Sequence, residues 1–188
     1  MTTFTVVDFE TTGRVKGLPE LPWQVAFISL QDGAIAAHRE DYLHVPLSRP
    51  FNRYAPGRHA AIRPQLDAAP EPAVLWPQWR PWLLDSPLAA HNASTERTLF
   101  KRIAPLHSLG PWVDTLRIAR RCLPGLPDYS LSALCAHLSI DPAAALPFLA
   151  ARTWHDALYD AAATALLLAR FLSSPSLAAL PLPALASL

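Results

Sequence analysis

Phe4-Thr5-Val6-Val7-Asp8-Phe9-Glu10-Thr11-Thr12-Gly13 is the stretch on which the reading of this chain turns. Its β-branched and aromatic residues make it a strand. Phe4, Val6, Asp8 and Glu10 fall on one face, Thr5, Val7 and Phe9 on the other, and Thr11-Thr12-Gly13 ends it. Residues i and i+2 of a strand project together, so Asp8 and Glu10 stand side by side at its carboxyl end, where α/β sheets commonly bind ligands. Two carboxylates so placed can share a hard divalent cation. Isolated Asp-x-Glu pairs are common, however, and this one needs partners elsewhere in the chain.

Working outward, residues 24–30 and 35–45 read as two further strands joined by a turn at Gln31-Asp32-Gly33, a meander with the first. Helical periodicity follows at residues 78–84, 94–103, 115–122, 131–138 and 157–172. Short apolar runs at 88–90 and 112–113 fit buried strands between those helices. The sum is a three-layer α/β domain, a mixed central sheet flanked by helices, over residues 1–172. Residues 173–188 are rich in Leu, Ala and Pro and are expected to form an extended or mobile tail. Trp76, Trp79 and Trp82 recur every three residues, the spacing of a helix that packs one face into the core.

Composition sets limits on function. A chain of 188 residues with 51% hydrophobic residues is long enough to bury a core of its own. The net charge is only +1, so attraction to a polyanion must come from a local basic surface. All cations but Lys16 and Lys101 are arginine, the better bidentate phosphate ligand. Cys122 and Cys135 are too far apart for a Cys-x-x-Cys pair and are expected to be reduced thiols in the core. Asp8 and Glu10 interrupt any amino-terminal targeting segment, and Pro175, Pro181 and Pro183 break up the apolar end before it reaches the roughly 20 residues of a membrane span. A cytoplasmic protein is expected.

Partners for the carboxylate pair occur in two places. Leu88-Ala89-Ala90-His91-Asn92-Ala93-Ser94-Thr95-Glu96 is a short strand running into a helix, with Asn92 or Ser94 as the cap and Glu96 in the first turn. An acidic residue there also has a structural explanation, since it favours a helix amino terminus by a few tenths of a kcal/mol to about 1 kcal/mol. Further on, Trp154-His155-Asp156-Ala157-Leu158-Tyr159-Asp160 precedes an alanine-rich helix. On a regular helix His155 and Asp160 would lie about 140° apart. They meet only if His155 sits in the loop and Asp160 on the helix face.

Val6-Val7-Asp8-Phe9-Glu10-Thr11-Thr12-Gly13, Ala90-His91-Asn92-Ala93-Ser94 and His155-x-Ala157-x-x-Asp160 together resemble the three motifs of the DEDDh exonuclease family, which has a ribonuclease H-like fold. That family includes exonuclease X and the epsilon proofreading subunit of bacterial replicative DNA polymerase. The resemblance extends to Asp114-Thr115-Leu116-x-x-Ala119-Arg120-Arg121 and Tyr129-Ser130-Leu131-x-x-Leu134, and the Ala119-Arg120-Arg121-x-x-Pro124-Gly125 stretch is most similar to exonuclease X. It implies a metal-dependent 3′→5′ exonuclease that releases 5′-mononucleotides. Asp8, Glu10, Glu96 and Asp160 would hold two Mg²⁺ or Mn²⁺ ions roughly 4 Å apart, and His155 would be the general base. It further implies substrate contacts from Phe9, Thr11, Thr12, His91 and Asn92. One residue departs from the pattern: Glu96 stands where aspartate is usual.

Between Asp41 and Asp67 no acidic residue occurs, while Arg49, Arg53, Arg58 and Arg63 alternate with Tyr42, Phe51, Tyr54 and His59. Arginines beside aromatic rings suit phosphate contact and base stacking, with Arg58 and Tyr54 the candidates here; a solvated loop is the structural alternative. The expected partner is nucleic acid with a free 3′ end, DNA ahead of RNA. RNA 3′ trimming, or a binding module with a decayed nuclease site that docks a protein through its apolar tail, are the alternatives.

Overall fold

The computed structural model describes residues 3–188. Five strands form one sheet: β1 (Thr3–Thr11), β2 (Pro22–Gln31), β3 (Ala34–Tyr42), β4 (Leu88–Ala90) and β5 (Trp112–Asp114), in the spatial order β3-β2-β1-β4-β5. β1 runs antiparallel to β2, and β2 to β3, whereas β4 is parallel to both β1 and β5. The helices are α1 (Arg63–Asp67), α2 (Pro72–Leu84), α3 (Ser94–Ile103), α4 (Thr115–Cys122), α5 (Leu131–His137), α6 (Pro142–Ala145), α7 (Ala157–Leu172), α8 (Pro175–Ala178) and α9 (Leu182–Ser187).

Strand alternation sorts the core into two layers. Phe4 and Val6 of β1, with Ala26, Ile28 and Leu30 of β2, pack against α4, α5 and the alanine-rich α7. Val7 and Phe9, with Val25 and Phe27, pack on the opposite side against α2 and α3. Asp8 and Glu10 share the parity of Val6 and therefore face the α7 layer. Trp79 is fully buried on α2, and Trp76 and Trp82 pack half-buried beside it, as the three-residue spacing implied.

The sheet and the three-layer arrangement agree with the expectation; several boundaries do not. β3 ends at Tyr42 rather than at 45, because Leu43 still donates to Trp23 but the next N–H groups turn away to Pro70 and Leu66. α2 begins at Pro72, six residues earlier than periodicity suggested. Pro72 takes the first helical position, and Pro77 and Pro81 lie on the exposed face of the helix. Cys135 is buried, but Cys122 is exposed at the end of α4. The segment from Ser173 is not extended: α8 and α9 are short helices, with Leu177 and Leu185 buried in the main core and Arg117 Nη2 donating to Ser187 O at 3.0 Å. No helix among the described residues is long and apolar enough to cross a membrane.

Candidate active site

The site lies at the carboxyl ends of the parallel strands. β1 delivers Asp8 and Glu10, α3 brings Glu96 in its first turn, and α7 brings Asp160 in its first turn. His155 is outside the helix, as the angular argument required: its backbone is left-handed at φ 66°, and its N–H donates to Asp160 Oδ2 at 3.1 Å. One ligand atom from each of Glu10, His155 and Asp160 lies within 4.8 Å of the others. Asp8 sits in the combined field of Asp160, Glu10, Glu96 and Asp156.

Electrostatics mark this as a place built for a cation. Burial, followed by the charges of Asp160, Glu10, Glu96 and Asp156, pushes Asp8 well above the usual carboxylate range. Burial, with Asp160 and Asp156 adding, raises Glu10 to about 8. Burial likewise lifts Glu96 to about 8 and Asp160 to about 7. Two of the oxygens, Glu96 Oε2 and Asp160 Oδ1, are buried with no hydrogen-bond partner among the described residues. An unpaired buried acceptor costs about 1–3 kcal/mol. Hard oxygen donors that repel one another and lack partners fit a divalent cation.

A consequence for stability follows directly. The folded protein binds protons at Glu10, Glu96 and Asp160 more tightly than the unfolded chain does. Their contribution is therefore fully present below about pH 4 and is lost as pH rises through about 7 to 8. The melting temperature of metal-free protein should fall between pH 5 and pH 8, and millimolar Mn²⁺ should raise it more at pH 8 than at pH 5. Scanning calorimetry in chelator and in Mn²⁺ checks this; a flat or rising metal-free curve contradicts it.

Two aspartates that sequence reasoning did not assign to the site hold its frame. Neither Asn92 nor Ser94 caps α3. Ala93 is the cap residue, and the Asp114 carboxylate at the end of β5 instead accepts from Asn92 N at 3.0 Å, Ala93 N at 3.2 Å and Leu116 N at 2.9 Å. Asn92 adopts φ 66° in that turn. Asp156 caps α7 by accepting from Leu158 and Tyr159, a role readable from Asp before an apolar helix. Its other contacts were not readable. Arg152 Nη1 donates to Asp156 at 2.8 Å and Nη2 to Glu40 at 2.6 Å, and Gln24 bridges Glu40 to Ala157 N. Burial alone would raise Glu40, but the bonds from Arg152 and Gln24 leave it below its usual value.

The residues expected at the substrate divide. Tyr54 is 74% exposed, with the Arg53 guanidinium 4.4 Å over its ring, and Asn92 is exposed beside Glu96's helix. Arg58 is exposed but already engaged, at 3.3 Å from Asp156, 3.6 Å from Glu40 and hydrogen-bonded to Tyr42. Thr11 Oγ1 accepts from Gly13 N. The side chains of Phe9, Thr12 and His91 are committed to the fold. Phe9 packs edge-on to Phe100, Thr12 is buried and accepts from Leu21 N, and both His91 ring nitrogens are occupied, by Thr115 Oγ1 and Tyr129 O. Burial, the largest influence on His91, holds it below its usual value and favours neutral imidazole.

The loop that carries Tyr54 and Arg58 is clamped to both halves of the site. Asn52 N donates to Thr12 O, and a Cβ on Gly13 (φ +67°) would lie 2.9 Å from Asn52 Cβ. A Cβ on Gly57 (φ +91°) would lie 2.8 Å from His155 O.

The mixed five-stranded sheet flanked by helices places the chain in the class of ribonuclease H-like α/β folds. Within that class the chain belongs to the Exonuclease family of RNase T type, whose model matches residues 5–168, among the DEDDh 3′→5′ exonucleases. It is 31% identical over 180 residues to the PolC-type DNA polymerase III of Oceanobacillus iheyensis, a match covering 88% of this chain and 11% of that polymerase. The similarity is thus to a small segment of a much longer protein. In fold it is similar to exonuclease X solved with 5′-overhanging duplex DNA, with a TM-score of 0.73, 24% identity and 98% of each chain covered. It also resembles the nuclease domain of 3′hExo, a DEDDh protein bound to rAMP, with a TM-score of 0.68, 16% identity and coverage of 91% and 92%.

Proposed function

We propose that this protein removes nucleotides from single-stranded DNA 3′ ends, releasing 5′-mononucleotides with two divalent ions in its site. The observation that supports this most is the grouping of Glu10, His155 and Asp160 within 4.8 Å, beside an Asp8 surrounded by like charges. Mg²⁺ or Mn²⁺ bound by Asp8, Glu10, Glu96 and Asp160 would neutralise the scissile phosphate and activate water.

The chain's own residues do the rest. The His155 imidazole, exposed at the rim and tied through its backbone N–H to Asp160, takes the proton of the attacking water. Asp156 and Arg152 fix the loop that presents it. Tyr54, with the Arg53 guanidinium over one face of its ring, offers the other face to a base near the 3′ end, and the exposed Asn92 amide, which also bonds Ser94 and Thr95, offers a hydrogen-bonding edge. Glu96 supports an active site over a decayed one, since it supplies a buried carboxylate with an oxygen still free for a ligand.

Parallel digestion of matched DNA and RNA oligonucleotides tests the sugar preference. Faster release from DNA is expected; release from RNA only would move the substrate to RNA 3′ ends.

A further inference from the structure

A groove beside α3 lies apart from the carboxylate site. It is a concavity of about 600 Å³ on the outer side of α3, where Arg97 and Lys101 face Leu106, His107 and Leu109 of the loop leading into β5 and Trp112 at the start of that strand. α3 starts at the carboxyl end of the sheet and runs back down it, so the groove begins one residue after Glu96 and descends beside the edge strand β5. Glu96 points inward and is buried; Arg97, Lys101 and His107 are exposed.

Its chemistry suits a polyanion that also has flat apolar faces. Arg97 and Lys101, one helical turn apart, form no ion pair among the described residues, and neither side chain makes a hydrogen bond there. Leu106 is 94% exposed, and the His107 ring lies tilted 4.7 Å from Trp76. Two cations beside the exposed Leu106 side chain and His107 ring offer phosphate contacts and an apolar, partly aromatic surface for unpaired bases of a single strand.

We propose that this groove holds the single strand upstream of its 3′ end and so makes the protein prefer long strands over short ones. The inference rests on the exonuclease reading for which end of the strand lies in the site. Two measurements separate the two. Binding of 5′-fluorescein-labelled dT20 and dT3 is followed by anisotropy in chelator, where nothing is cleaved, for the wild type, for Arg97→Gln/Lys101→Gln and for Arg80→Gln/Arg170→Gln, a charge-matched control on exposed residues elsewhere. Turnover of dT20 and dT3 in Mn²⁺ is measured alongside.

The groove variant should bind dT20 about tenfold or more weakly, as expected for lost charge-assisted phosphate contacts. The slope of log K against log salt should shrink by about 1.4, or 0.7 for each phosphate released. Binding and turnover of dT3 should stay at wild-type level. Unchanged dT20 binding, or an equal loss in the control pair, overturns the groove. Absence of turnover of both dT20 and dT3 in the wild type overturns the exonuclease reading and leaves the binding comparison standing.

Discussion

Asp8→Asn should lower turnover by roughly a thousandfold or more and leave the fold intact. The substitution preserves volume and removes the charge at the centre of the cluster, the group on which Asp160, Glu10 and Glu96 all act. Neutralising the charge that develops on a scissile phosphate is worth several kcal/mol, so losing a central ligand should cost at least that factor. Stability should move the other way. A carboxyl held well above its usual range by burial and four like charges destabilises the metal-free fold when it ionises, and an amide has no such cost. Melting temperature in chelator at pH 8 should therefore equal or exceed wild type, while the rise produced by Mn²⁺ should shrink. Wild-type turnover, or a protein that no longer folds, contradicts this assignment.

Much of this site could be read from the sequence because its signals are local. Alternation placed Asp8 and Glu10 on one face of β1, and the observed face is the one that meets α7. The limits of α3 and α7 follow from periodicity, and the angle between His155 and Asp160 already required a loop and a helix face. What could not be read depends on contacts between distant segments. Arg152 pairs with Glu40 across 112 positions, and Asp114 organises the α3 turn from a strand away. Arg58 looked free in a stretch without acidic residues, yet it lies beside Asp156, a carboxylate nearly a hundred residues later. The low-complexity end misled for a related reason. Leu177 and Leu185 gain order from a core surface that composition does not reveal.

Glu96 gives the second large effect. Glu96→Gln should cut turnover by roughly a hundredfold to a thousandfold, the range found when one group that stabilises developing charge is removed. Glu96→Asp, which keeps the carboxylate and restores the residue usual at this place, should retain substantial activity. Because glutamate is one methylene longer, wild type should favour Mn²⁺ over Mg²⁺, which demands near-ideal octahedral geometry. A purely structural Glu96, acting on the amino terminus of α3, forecasts the reverse: Glu96→Gln would lower stability by up to about 1 kcal/mol and leave turnover alone. Burial argues against that role, since a dipole contact needs no desolvation and would not leave Oε2 without a partner. Turnover and melting temperature of the two variants, each in Mg²⁺ and in Mn²⁺, distinguish the roles.

The most direct measurement is digestion of one single-stranded DNA oligonucleotide labelled in separate preparations at its 5′ and 3′ ends, with Mg²⁺ or Mn²⁺, with chelator, and with Asp8→Asn. The 3′ label should leave first as a labelled mononucleotide, and the 5′-labelled strand should shorten one nucleotide at a time. Chelator and Asp8→Asn should each abolish both. Early release of the 5′ label, internal cleavage, or digestion that persists in chelator would contradict a metal-dependent 3′→5′ exonuclease built on Asp8, Glu10, Glu96, His155 and Asp160.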